Sequence, residues 1–139
     1  MLYVATAVLG HDEDLERRVR FHRERRPAGW GTLEIGTLDE VLDAAGTWDA
    51  VLLDSLTLWV SSRYGDDAET LREFDSFLKK AEGLEGPLVL VSDEVGLGVV
   101  PESVAGRRFR DVLGLVNQRA AAAAAEVHLC VVGVGIRIK

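Results

Sequence analysis

The chain has 139 residues, a formal net charge of −7, 47% hydrophobic residues and 28% charged residues. That length is enough for one domain with a real core, and the balance is that of an ordinary globular protein. The acidic charge disfavours general nucleic-acid or anionic-membrane binding, so an anionic ligand has to be met by a local basic patch. No apolar run is long enough to span a bilayer, and the opening MLYVATAVLG, with no basic residue ahead of it and HDED behind it, reads as a poor signal peptide. The single cysteine, Cys130, cannot form an internal disulfide. Its setting in VHLCVV predicts a buried, reduced thiol, which suits the cytoplasm.

Short apolar runs alternate with helical patterns. LYVATAV (2–8) reads as a strand. DEDLERRVRFHRER (12–25) reads as a helix, with acids in its first turn and arginines in its last, the order that complements a helix dipole. Pro27 marks its end. TLEIG (32–36) is a short strand, and TLDEVLDAAG (37–46) a helix capped by Thr37, with Glu40 three residues on and Gly46 as its stop. AVLLD (50–54) and PLVLVS (87–92) are strands apolar on both faces. Between them, residues 66–82 are amphipathic, with Ala68, Leu71, Phe74, Phe77 or Leu78, and Ala81 at helical spacing. A long helix is expected over 103–125, since alanine, which fills its last six positions, is the best helix former. VHLCVVG (127–133) is a strand, and IRIK (136–139) alternates like a final edge strand. Two-sided apolar strands separated by helices predict an α/β fold, a mostly parallel sheet with helices on both faces. No internal repeat or linker interrupts it, so 1–139 is expected to be a single domain.

In open α/β sheets, ligands bind beyond the carboxyl ends of the strands. Thr6 and Ala7 follow the first strand. Asp54 closes VLLD in the manner of a strand-end carboxylate that holds Mg²⁺ on a nucleotide, although an acid capping a turn has the same look. SDEVGLGVVP sets two acids and two glycines after a buried strand; a ligand loop and a tight turn explain it equally well.

The local basic patch is the segment around RVRFHRERRPAGW. Arg17, Arg18, Arg20, Arg23, Arg25 and Arg26 fall within ten residues and surround His22. Arginine forks suit phosphate oxygens. Neighbouring positive charge favours a neutral imidazole, and a neutral imidazole is a nucleophile. On spacing alone, a solvated basic face paired with Asp12, Glu13, Asp14, Glu16 and Glu24 is the simpler account. A nucleic-acid surface with Phe21 and Trp30 for stacking is weaker, because the patch is short. His11 and His128 have no metal-ligand spacing with Cys130.

Several stretches in order, YVATA, RVRFHRERRPAGW, LLDSLTLWV, SDEVGLGVVPE, FRDVLGLVNQRAAAAA and VVGVGIRIK, resemble the bifunctional adenosylcobinamide kinase/adenosylcobinamide-phosphate guanylyltransferase family of cobalamin biosynthesis. The resemblance runs from Tyr3 to Lys139. It implies a RecA-like nucleotide-binding fold, a homotrimer, GTP or ATP as substrate nucleotide, Mg²⁺, and adenosylcobinamide and its phosphate as the other substrates. The implied chemistry is phosphorylation of adenosylcobinamide, then transfer of GMP from GTP through a GMP–histidine intermediate. His22 matches the nucleophile. The nucleotide contacts match Ala5, Thr6, Ala7, Arg23, Glu24, Arg25, Arg26, Glu34 and Asp54, with Asp54 also placed at the metal.

The family opens with a strand, a glycine-rich loop ending in Gly-Lys-Ser/Thr, and a helix. No such motif stands in this sequence, whose first lysine is Lys79. The expectation is therefore a RecA-like fold missing its first strand–loop–helix unit of roughly two dozen residues. Three accounts follow: a misassigned start codon, a non-catalytic nucleotide-binding or assembly remnant, or partial nucleotide binding retained by the His22 segment.

Overall fold

The computed structural model describes residues 1–6, 17, 20, 21, 24, 26–63 and 65–139. The helix expected over 12–25 lies mostly outside them, and so do the last residues of the first expected strand. Arg17, Arg20, Phe21 and Glu24, which are described, are helical and exposed. The chain divides into two compact units, Met1–Asp93 and Glu94–Lys139.

The first unit contains β1 (Leu2–Ala5), β2 (Gly31–Glu34), α1 (Asp39–Ala45), β3 (Val51–Asp54), α2 (Leu56–Ser61), α3 (Asp67–Ala81) and β4 (Leu88–Val91). The four strands form one sheet in the order β2-β1-β3-β4, and each neighbouring pair is parallel. This is the α/β architecture that the alternating runs predicted.

Register sorts the side chains by face, because residues two apart along a strand point the same way. Leu2 and Val4 on β1 share a face with Val51 and Leu53 on β3, and all four are buried. Tyr3 lies opposite Thr32 and Leu52, and Ala5 lies opposite Glu34 and Asp54. The polar residues therefore share the other face and gather at its carboxyl end.

The core of this unit also holds Leu38, Val41, Trp59, Phe74 and Phe77, all buried. The ring centroids of Trp59 and Phe74 are 5.8 Å apart, and those of Phe74 and Phe77 are 6.0 Å apart. Burying each such side chain contributes roughly 1.5–3 kcal/mol. Phe74 and Phe77 come from α3, whose inward stripe begins at Thr70. Asp66 caps α3 by accepting from the Glu69 N–H at 2.9 Å, and Lys79 and Lys80 stand in its last turn. Lys80 Nζ reaches Asp39 Oδ1 at 2.8 Å and ties α3 to α1.

Three local expectations are corrected. Thr37 does not cap α1: the helix starts at Asp39, and Glu40 Oε1 instead accepts from the Thr37 N–H and hydroxyl, both at 2.9 Å. The long carboxylate reaches back past Leu38 to the residues ahead of the helix, and among the described residues no side chain caps α1 itself. LTLWVS forms the helix α2, to which the sequence reading gave no element. Ser55 caps it, and Leu56, Trp59 and Val60 turn inward. Finally, β4 is apolar on both sides but buried on neither, with Val89 and Val91 exposed on the face that carries Asp54.

The second unit contains α4 (Val104–Ala123), β5 (His128–Val131) and β6 (Val134–Arg137). Ser103 Oγ caps α4 by accepting from the Gly106 N–H at 3.0 Å. The strands β5 and β6 form an antiparallel hairpin turned by Val132 (φ 48°) and Gly133 (φ 82°). Lys139 Nζ donates to the Ala121 and Ala122 carbonyls at 2.8 and 3.0 Å, closing the end of α4. Cys130 is exposed and not buried as expected, because a two-stranded ribbon opens both its faces. The final strand begins at Val134, two residues before the expected one.

Candidate functional site

Parallel register brings Glu34, Ala5 and Asp54 into one row at the carboxyl ends of β2, β1 and β3. Adjacent strands are about 4.8 Å apart, so the two acids flank Ala5 at roughly twice that separation. Ala5 contributes little bulk between them, and its carbonyl accepts from the Ile35 N–H at 3.1 Å.

Tyr3 stands one row below, and the Tyr3 hydroxyl donates to Asp54 Oδ2. Arg26 lies over the ring of Tyr3, its guanidinium carbon 3.5 Å from the centroid, within cation–π range. Arg26 Nη1 also donates to Thr32 Oγ1 at 2.9 Å. Among the described residues its buried Nε has no partner. Burial, then the hydrogen bond to Asp54 and the charge of that carboxylate, push the Tyr3 hydroxyl up to about 12, against the opposing pull of Arg26.

Beyond Arg26 opens a cavity of about 600 Å³ lined by Arg26, Pro27, Ala28, Trp30, Thr32, Leu33 and Glu34. It offers a cation at one side, a carboxylate at another and an indole beside them. That combination suits an anionic ligand with a planar, hydrogen-bonding part.

Thr6 serves the site from behind. Its Oγ1 donates to the Ser55 carbonyl at 2.6 Å and accepts from the Ser55 N–H at 3.0 Å. The Thr6 N–H also donates to the Asp54 carbonyl at 3.2 Å. This buried clasp fixes the backbone that carries Asp54.

The structure thus brings together Ala5, Thr6, Arg26, Glu34 and Asp54 of the expected site residues. Glu24 is an exposed helical residue. His22, Ala7, Arg23 and Arg25 lie outside the described residues. In the loop after β4, the Asp93 N–H donates to Thr57 Oγ1 at 2.8 Å, and Glu94 Oε1 accepts from the Gly96 N–H at 2.6 Å. Glu94 is turned onto its own loop, as the tight-turn reading has it. Tyr3 and Thr32 received no role from the sequence, and Trp30 only that of a stacking residue in the weaker nucleic-acid reading. Alternation along YVATA puts Tyr3 on the face of Ala5, a usable signal, but the register that adds Asp54 and Thr32 is a tertiary property.

The chemistry of the donors decides what cation would fit. Among the described residues no three His, Cys, Asp or Glu side chains group to hold a metal ion. Mg²⁺ commonly takes one or two carboxylates and completes its shell with water and substrate phosphates. Asp54, with one oxygen engaged by Tyr3, fits that mode.

A parallel α/β sheet with its polar residues at the carboxyl ends of the strands is the arrangement of nucleotide-binding α/β proteins of the P-loop NTPase kind. Residues 1–138 match the family model for cobinamide kinase / cobinamide phosphate guanyltransferase. The bifunctional adenosylcobalamin biosynthesis protein CobU of Escherichia coli (strain K12) is 37% identical over 156 residues, which covers 100% of this chain and 86% of that protein. The protein of the same name from Salmonella typhimurium is 36% identical with the same coverage. CobP of Pseudomonas aeruginosa is 37% identical over 141 residues, covering 99% of this chain and 81% of its own length. The chain belongs to the cobinamide kinase / cobinamide phosphate guanyltransferase family. Among the described residues, no helix is long and apolar enough to cross a membrane.

Proposed function

We propose that this protein is an enzyme of cobalamin biosynthesis that transfers GMP from GTP to adenosylcobinamide phosphate, and that the family's kinase reaction on adenosylcobinamide belongs to the same fold. The observation that carries the reading is the row of Glu34, Ala5 and Asp54 with Arg26 set beside it, next to a cavity of about 600 Å³.

In this reading His22 is the nucleophile. An imidazole nitrogen attacks the α-phosphorus of GTP, the bond to the bridging oxygen breaks, and pyrophosphate leaves with that electron pair. A phosphate oxygen of adenosylcobinamide phosphate then attacks the same phosphorus. The nitrogen–phosphorus bond breaks and free histidine returns. Dividing the displacement in two lowers each barrier. Arg23, Arg25 and Arg26 hold phosphate oxygens by charged hydrogen bonds. Glu24, Glu34 and the backbone at Ala5, Thr6 and Ala7 complete the nucleotide contacts. Asp54 would hold Mg²⁺, whose contribution when bound is to offset phosphate charge.

We further propose that residues 1–139 act as a single domain, in a cytoplasmic homotrimer. The reading is tested by calorimetry with GTP. Wild type should bind, and Arg26→Ala should bind more weakly by about 1.5–3 kcal/mol, the worth of a charged hydrogen bond. Equal affinity of the two proteins removes Arg26 from the phosphates. A wild type with no GTP affinity leaves the non-catalytic assembly role as the better account.

A further inference from the structure

Tyr3 carries no assigned role, yet it touches both charged groups of the site. It is mid-strand in β1, hydrogen-bonded into the sheet on both sides through β2 and β3, and only 9% exposed. A buried tyrosine whose only task is packing needs one partner for its hydroxyl. Here the hydroxyl goes to a carboxylate and the ring face goes to a guanidinium.

We propose that Tyr3 is a positioning residue for the nucleotide site, whose hydroxyl fixes the Asp54 carboxylate while its ring fixes the Arg26 guanidinium, so that acid and cation are presented in one geometry. The inference rests on the reading that Asp54 and Arg26 serve the nucleotide.

The geometry explains how one side chain does both. The terminal torsion of an aspartate is broad, so an unheld carboxylate rotates freely. With Oδ2 held by Tyr3, the other oxygen has a set direction. Arginine has five N–H donors in a rigid fork. One goes to Thr32, the plane rests on the Tyr3 ring, and the buried Nε has no partner among the described residues. Among the described residues the fork is thus held by its stack and the hydrogen bond to Thr32, and its orientation is set before a ligand arrives. Preorganisation of this kind lowers the ordering cost of binding. The strand supplies the rigidity, since sites built on strands are held more tightly than sites on loops.

The test is GTP binding by calorimetry on the full chain, with and without Mg²⁺. The proteins are wild type, Tyr3→Phe, Tyr3→Leu, Asp54→Asn and the Tyr3→Phe/Asp54→Asn double variant. Tyr3→Phe keeps the ring and loses the hydroxyl. It should bind GTP within about twofold of wild type without Mg²⁺ and lose about tenfold of the gain that Mg²⁺ brings. That loss should vanish in the Asp54→Asn background, which a purely structural role would not produce. Tyr3→Leu should in addition weaken binding without Mg²⁺, because Arg26 loses its platform. If Tyr3→Leu fails to fold, Tyr3→Phe decides alone. An unchanged Mg²⁺ response in Tyr3→Phe, or an equal loss in both Asp54 backgrounds, overturns the inference while wild-type GTP binding stands. Wild type that binds no GTP overturns the proposed function and this inference with it.

Discussion

The hydroxyl of Thr6 both donates to the carbonyl of Ser55 and accepts from its N–H, at 2.6 and 3.0 Å, with both residues buried. It joins the ends of β1 and β3 at the point where Asp54 leaves the sheet. Replacing Thr6 with valine keeps the shape and leaves the buried Ser55 N–H unpaired, while the Ser55 carbonyl still accepts from the Trp59 N–H at 3.1 Å. An unpaired buried group costs about 1–3 kcal/mol, so Thr6→Val should lower the urea midpoint by that order, and Thr6→Ser by much less. Equal stability of Thr6→Val and wild type would remove the clasp from the account.

The Phe74 ring is fully buried between Trp59 and Phe77. Phe74→Ala opens a cavity there and should cost about 3–5 kcal/mol, read from chemical denaturation. The same experiment tests the single-domain proposal. Trp30, Trp48 and Trp59 all report on the first unit, whereas far-UV dichroism also sees α4. The two signals should fall together.

Val132 occupies the left-handed region, at φ 48°, and is 96% exposed. A β-branched residue is strained there, and hairpin turns of this kind prefer Asn followed by Gly. Gly133 already follows. Val132→Asn should stabilise the protein by about 1 kcal/mol, seen as a higher melting temperature. A lower one would contradict the turn geometry.

Burial and Asp54 push Tyr3 from 10.0 to about 12. The folded state therefore keeps this proton at pH values where the unfolded chain releases it. Stability from Tyr3 is full below pH 10 and is lost as pH rises toward about 12. Glu40 behaves in the opposite sense. Hydrogen bonds from Thr37 hold it below 4.5, so what it contributes is present above that pH and lost as pH falls through its folded value. Tyr3→Phe should flatten the alkaline limb of a stability–pH curve and leave the acid limb alone.

Much of this was legible in the sequence, and the pattern of misses has a physical cause. Strand and helix periods located β1, β3, α3 and α4 to within a few residues, because long amphipathic or two-sided apolar runs have few competing solutions. Six-residue α2 was not legible, since its pattern is too short to separate helix from strand. Cys130 misled because an apolar run signals burial only when something covers it. Asp54 stood out as a strand-end acid and Arg26 as part of the arginine cluster, whereas Glu34 came from the family resemblance alone. Tyr3 and Thr32 needed the register, which joins positions 3, 32 and 52 across the sheet. Gly31 is a further case. A Cβ there would lie 2.4 Å from the Trp48 ring, a contact that no local pattern announces.

The central claim is covalent transfer through His22, and intact-protein mass spectrometry after incubation with GTP and Mg²⁺ tests it most directly. Wild type should gain the mass of one GMP, and His22→Ala, with its fold intact by circular dichroism, should gain none. Label that persists in His22→Ala, or no label on a wild type that binds GTP, would contradict it.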